Sequence, residues 1–240
     1  MRAAAAVEAL LFDLDDTLLN TEELLDATMV AVMQQEYGVA VSHASLARLR
    51  GCVDVGPEGW TTKLIAEYGL GAQVTDQQLC DRVYSECNAR MTEAKPMAGA
   101  LELVALGRKL GLRCAIVTSS TTASAHLKLS AHADTIWAHM EHVVCVDDVA
   151  PHAKPHPRPY LLACERLGVA PERCLVFEDS LPGVRSGVAA GATVIAVPAA
   201  DARDAAAAAG AHAVVASLLD FDLQALLLAR AAAAQAQQPE

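Results

Sequence analysis

Short apolar runs rich in β-branched residues recur along this chain, and each stops in polar or turn residues: "LLFD", "RCAIVTSS", "HVVCVDD", "RCLVFED", "ATVIAVP" and "HAVVAS". Runs of this length without a polar face are strands buried on both sides, the mark of a parallel sheet. Parallel neighbours need crossovers, and "YLLACERLG" and "PGVRSGVAAG" read as helices with proline near the start and glycine at the close. Strand and helix therefore alternate through the second half. This predicts an α/β fold with a doubly wound parallel sheet covered on both faces.

Residues 21–95 break the rhythm. From "EELLDATMVAVMQQEYG" to "DQQLCDRVYSECNARM" the pattern is helical, with no convincing strand. A helical insertion after the first strand accounts for it. The expected organisation is a Rossmann-like core of residues 1–20 and 96–240 and an all-helical domain of residues 21–95, hinged at Asn20 and "KPMAG". The C-terminal "ARAAAAQAQQPE" is low in complexity and is expected to fray.

The first strand runs straight into Asp13, Asp15 and Asp16. Along an extended strand, residues i and i+2 share a face, so Asp13 and Asp15 are expected to point the same way and repel. In open parallel sheets ligands bind beyond the carboxyl ends of the strands. The other ends carry Thr118, Ser119 and Ser120, then Lys154 in "AKPHP", then Glu178 and Asp179. Gathered on one rim, Asp13 and Asp179 with Glu178 close by make a hard-oxygen site for Mg²⁺, which relieves the crowding. Lys154, Thr118 and Ser119, with backbone N–H groups after that strand, supply what a phosphate needs.

Carboxylates beside an anion cradle point to phosphoryl transfer onto a carboxylate. Enzymes accelerate phosphate-monoester hydrolysis by up to about 10²¹, while one general acid or base supplies roughly 10² to 10⁴. Proton transfer alone falls far short. Metal, Lys154 and backbone donors must stabilise charge on the transferring group, and a positioned nucleophile must shorten the path. Asp13 attacking phosphorus forms an aspartyl-phosphate, with Asp15 protonating the leaving oxygen and later activating water.

Charge narrows the partners. A formal net charge of −11 argues against nucleic acid and anionic membrane, leaving a small phosphorylated metabolite. The longest apolar runs are too short or too interrupted to span a bilayer. Seven cysteines are scattered without a Cys-x-x-Cys pair, several in apolar stretches, which reads as a reducing, cytoplasmic setting. The first strand begins so close to Met1 that no signal or transit peptide is expected. A monomer or weak dimer is expected.

"FDLDDTL", the "IVTSS" strand end, "AKPHP" and "LVFEDSLPGVRSGVAAG" resemble, in order and spacing, the four motifs of the haloacid dehalogenase-like phosphatases. The helical insertion is similar to the cap of the subgroup that includes β-phosphoglucomutase. Within it, "TSSTTASAHLKLSAH", "MEHVVCVDD" and "SLLDF" resemble most the branch of pseudouridine-5'-phosphatases and glycerol-3-phosphatases, with plant FMN hydrolases also similar. The resemblance implies Asp13 as nucleophile and Asp15 as acid/base. It implies Thr118 and Lys154 on the phosphate, and Mg²⁺ held by Asp13, the backbone carbonyl of Asp15 and Asp179, with Glu178 as a ligand or a neighbour of the ligands. It also implies a cap whose closure excludes water and presents the substrate-selecting residues.

Three positions depart from the pattern. Asp16 stands where relatives often have glycine, a harmless exchange. Arg158 replaces an acidic residue suited to capping the next helix, which is expected to loosen the loop carrying Lys154. In the loop "LRGCVDVGPEGW", Cys52 follows Gly51 where relatives carry a basic residue, which bears on the substrate contact. The expected activity is Mg²⁺-dependent hydrolysis of a small phosphomonoester, of the pseudouridine 5'-phosphate or glycerol 3-phosphate type. The alternatives are a phosphosugar mutase, an FMN or sugar-phosphate phosphatase, and a catalytically silent binding or regulatory protein.

Overall fold

The computed structural model describes residues 6–49 and 55–235. The chain divides into two compact units, one of residues 1–20 and 95–240 and one of residues 21–94.

The first unit is built on six parallel strands: β1 (Ala9–Phe12), β2 (Arg113–Val117), β3 (His142–Val144), β4 (Cys174–Glu178), β5 (Thr193–Ala196) and β6 (Ala213–Val214). Their order across the sheet is β3-β2-β1-β4-β5-β6. From the central β1 the chain winds outward to β3, then returns to β4 and winds the other way. That reversal puts the ligand-binding crevice beyond the carboxyl ends of β1, β2 and β4. The central strands β1, β4 and β5 are buried throughout and β2 nearly so, as their near-continuous apolar sequences require, while the edge strands β3 and β6 are half-buried. Phe12 stacks on Phe177 across the β1–β4 pair with ring centroids 5.2 Å apart, and Phe221 meets Phe177 edge-on.

The second unit holds four helices, α1 (Thr21–Tyr37), α2 (His43–Leu49), α3 (Trp60–Tyr68) and α4 (Asp76–Ala89), and no strand among its described residues. Met29, Val32, Met33, Leu46, Leu64 and Leu79 are among the residues of its separate core. Helix α4 starts at a capping box: Thr75 Oγ1 accepts the Gln78 N–H at 3.2 Å, and Gln78 Oε1 accepts the Thr75 N–H at 3.0 Å.

Around the sheet the first unit carries α5 (Ala100–Lys109), α6 (Thr122–Ser130), α7 (Val146–Val149), α8 (Arg158–Leu167), α9 (Leu181–Ala189), α10 (Arg203–Ala208) and α11 (Leu223–Gln235). Asn20 and Lys95 pair where the insertion leaves and rejoins it, through Asn20 N–H to Lys95 O at 2.9 Å and Lys95 N–H to Asn20 Oδ1 at 2.6 Å. No helix among the described residues is long and apolar enough to cross a membrane.

Helix α11 continues through "ARAAAAQ" to Gln235, as alanine's helix preference favours, with Leu223 buried in its first turn. Residues 236–240 lie outside the described set. At the start of α8 the N-cap residue Pro157 makes no side-chain bond, and His156 Nδ1 accepts the Arg158 N–H at 3.1 Å. The guanidinium itself reaches Glu165 Oε1 at 2.7 Å. Gly51 and Cys52 also lie outside the described residues.

Candidate active site

Asp13 leaves β1 with the ladder still intact, its N–H bonded to Phe177 O at 3.0 Å, and its side chain is buried. The backbone then turns out of the sheet. Asp16 adopts a φ of 58°, and the N–H groups of Leu18 and Leu19 both return to Leu14 O at 3.0 Å. A positive φ favours glycine, and aspartate is among the few other residues that take it at modest cost. The expected repulsion is present, since Asp15 adds to the upward push on the Asp13 carboxyl, and the two carboxylates take different cationic partners.

Asp13 faces Lys154. The Lys154 side chain is 3% exposed, and its Nζ donates to Asp13 Oδ1 at 2.7 Å, to Val117 O at 2.8 Å and to Glu178 Oε1. One ammonium thus joins the ends of β1, β2 and β4. Glu178 is fully buried and accepts three further hydrogen bonds: from the Tyr160 hydroxyl at 2.9 Å, the Ser180 N–H at 3.1 Å and Ser180 Oγ at 2.9 Å. Its carboxylate occupies the space that a side chain on Gly183 would need. Only glycine in the first turn of α9 lets Glu178 sit there.

Asp15 is held by Lys128 of α6 and by the turn after β2. Its Oδ1 accepts from Lys128 Nζ at 2.6 Å and its Oδ2 from Ser120 Oγ at 2.8 Å, with Thr118 Oγ1 3.4 Å from the same oxygen. Thr118 Oγ1 also accepts the Ser120 N–H at 3.0 Å. Ser119, between them, is exposed. Asp179 lies beside Asp13, and Thr17 Oγ1 stands 3.3 Å from its Oδ1.

The electrostatics follow from burying acids together. Burial is the largest influence on Asp13 and pushes its carboxyl up to about 8; Glu178 and Asp15 add to the rise, while Lys154 opposes it. Asp179 is driven to about 9, by burial first and then by Asp13, Glu178 and Asp16. Lys154 experiences the reverse balance. Burial disfavours its charge, but Asp13 and Glu178 outweigh that and hold the ammonium form above its ordinary range. Tyr160, buried against Glu178, stays a neutral phenol well beyond its usual limit.

Asp13, Glu178 and Asp179 each offer a carboxylate oxygen, and these oxygens lie within 4.8 Å of one another. Three carboxylates against the single ammonium of Lys154 leave two negative charges uncompensated when all are ionised. A hard divalent cation matches both that excess and the all-oxygen donor set. The residues fit Mg²⁺, with Asp13 and Asp179 the more available donors, because Glu178 is already engaged by Lys154, Tyr160 and Ser180.

A haloacid dehalogenase-like hydrolase family model matches residues 7–191. The chain belongs to the haloacid dehalogenase-like hydrolases. It is 32% identical over 78% of its length to a bifunctional riboflavin kinase/FMN phosphatase of Arabidopsis thaliana, of which it spans 48%. It is 28% identical to a probable pseudouridine-5'-phosphatase of Saccharomyces cerevisiae, covering 82% of this chain and 85% of the relative. A solved hydrolase of the family from Deinococcus radiodurans, with bound phosphate and sodium, superposes with a TM-score of 0.78 at 31% identity, over 95% of this chain and 97% of that one. The enzyme class is phosphoric monoester hydrolase, acting on a small phosphorylated substrate.

Sequence reasoning missed Lys128, Tyr160 and Gly183. A signal existed for Lys128: it shares the stripe of α6 that carries Ala125 and Leu129, so helical spacing buries it. Gly183 lay within the "LVFEDSLPGVRSGVAAG" motif without a role assigned to it, and Tyr160 carried no signal, since its importance arises from meeting Glu178 across the fold.

Proposed function

We propose that this protein is a Mg²⁺-dependent phosphatase that hydrolyses a small phosphomonoester through an aspartyl-phosphate on Asp13. The leaving group is a nucleoside or polyol, of the pseudouridine 5'-phosphate or glycerol 3-phosphate type. Catalysis is assigned to residues 1–20 and 96–240, and the role of a substrate-selecting cap to residues 21–95. The observation that carries the reading is Lys154 Nζ bonded at once to Asp13, Val117 O and Glu178, which sets a fixed positive charge beside the nucleophile.

Asp13 supplies the attacking oxygen. Lys154 holds phosphoryl oxygens against it, helped by Thr118 and by Ser119 in the turn after β2. Glu178, clamped by Tyr160 and Ser180, keeps Lys154 in place rather than acting on the substrate. Asp15 gives a proton to the leaving oxygen as the P–O bond breaks, then takes one from the water that releases phosphate from Asp13. When bound by Asp13, Asp179 and the carbonyl of Asp15, Mg²⁺ supplies the positive charge that lets two anions, carboxylate and phosphate, approach. The pseudouridine assignment draws support from the yeast relative's name and from the "TSSTTASAHLKLSAH" stretch.

A screen of phosphorylated metabolites tests this, comparing the wild type with Asp13→Asn. Mg²⁺-dependent phosphate release from a nucleoside or polyol phosphate, absent in Asp13→Asn, is expected. Equal release by both proteins overturns the mechanism. Conversion of a hexose 1-phosphate to the 6-phosphate without free phosphate replaces the hydrolase by a mutase.

A further inference from the structure

Lys128 is out of place on chemical grounds. It lies on the inward stripe of α6, and its side chain is 6% exposed. Burying an ammonium costs several kcal/mol unless it is well paired, whereas a leucine or methionine there would fill the space without that cost.

The pairing is specific. Lys128 Nζ donates to Asp15 Oδ1 at 2.6 Å and to Ser120 Oγ at 2.8 Å, and Ser120 Oγ donates to Asp15 Oδ2 at 2.8 Å. The three side chains close a ring in which each oxygen of Asp15 has its own anchor. Two anchors on two oxygens fix the torsions that a single contact leaves free. The carboxyl plane is thereby set from the turn after β2 and from α6, segments that Asp15 does not belong to.

We propose that Lys128 is the positioning residue for Asp15, aiming the carboxyl that moves the proton in both halves of the reaction. The inference rests on the reading of Asp13 as nucleophile and Asp15 as proton carrier. In the first half, the Asp13 oxygen–phosphorus bond forms, the ester P–O bond breaks, and the Asp15 proton goes to the departing alcohol oxygen. In the second, a water oxygen bonds phosphorus, the Asp13–phosphorus bond breaks, and the water proton returns to Asp15. Lys128 bonds Asp15 and is not assigned to the phosphoryl group or to Asp13; its effect passes through the direction of Asp15.

Leaving-group dependence separates positioning from general structural support. Lys128→Met removes the ammonium and keeps much of the stem. An alkyl phosphate needs its leaving oxygen protonated, whereas 2,4-dinitrophenyl phosphate does not. For Lys128→Met, kcat/KM on the best alkyl substrate of the screen is expected to fall roughly 10²-fold or more, and on the dinitrophenyl ester less than about 10-fold. Because release of phosphate from Asp13 still needs Asp15, the dinitrophenyl ester is also expected to give a stoichiometric burst of dinitrophenolate, absent in the wild type.

Equal losses on both esters without a burst, or no loss on the alkyl ester, overturn the proposal. Should Lys128→Met fail to fold, Ser120→Ala removes the other anchor, and the same split at smaller size is expected; equal losses there overturn it too. A wild type that releases no phosphate, or an Asp13→Asn variant that matches it, instead overturns the phosphatase reading beneath.

Discussion

Replacing Gly183 by alanine adds one methyl group to the first turn of α9, where it collides with the Glu178 carboxylate. Glu178 has no free space to retreat into: it is fully buried and held by Lys154, Tyr160 and Ser180. Overpacking a tight site costs about 1–3 kcal/mol, and a displaced Glu178 that strands the Tyr160 hydroxyl adds about 1–3 kcal/mol. The expected loss is therefore about 2–6 kcal/mol, a large part of the roughly 5–15 kcal/mol that stabilises a typical domain. Urea unfolding measures it, with Gly71→Ala as control, since a methyl there meets only Ile65 Cγ2 at 3.9 Å. Phosphatase activity should fall further than stability, because Lys154 loses its clamp. A Gly183→Ala protein within about 0.5 kcal/mol of wild type, the ordinary range for neutral surface changes, would refute the account of the Glu178 seat.

With Asp13 at about 8 and Asp179 at about 9, the metal-free cluster retains protons at pH 7, so Mg²⁺ must displace them. Calorimetric titrations at pH 7 in buffers of different ionisation enthalpy should show proton release, with affinity rising towards pH 9; binding without release contradicts the electrostatics. The same raised values stabilise the metal-free fold fully below the ordinary carboxylate value of 3.8, and that contribution drains away as pH rises from there until it is gone above about 8 to 9, so the rise in melting temperature caused by Mg²⁺ should grow with pH over that span. His156→Ala removes the acceptor for the Arg158 N–H and should cost about 0.5–2 kcal/mol in thermal or urea unfolding, with His156→Asp restoring most of it; an unchanged His156→Ala shows that solvent caps α8 equally well.

The sheet was legible because its central strands are buried on both faces and so carry unbroken apolar runs, from "RCAIVT" to "ATVIAVP". Asp13, Lys154 and Asp179 were legible because strand ends converge in this topology wherever the winding reverses. The partners of Asp15 were not, since Lys128 and Ser120 reach it from more than 100 residues away in sequence. For Lys128 helical spacing signalled burial but not purpose, because the partner that justifies a buried lysine is 113 residues away in sequence. The capping role of His156 was unreadable because a ring nitrogen is an unusual substitute for a carboxylate.

The central claim is that Asp13 carries the phosphoryl group. Quenching the working enzyme during turnover and reducing it with borohydride converts an aspartyl-phosphate to homoserine, which peptide mass spectrometry locates. Homoserine at position 13, lost without Mg²⁺ and lost in Asp13→Asn, is the predicted result. Turnover at full rate with residue 13 unmodified, or with the mark on another side chain, would contradict it.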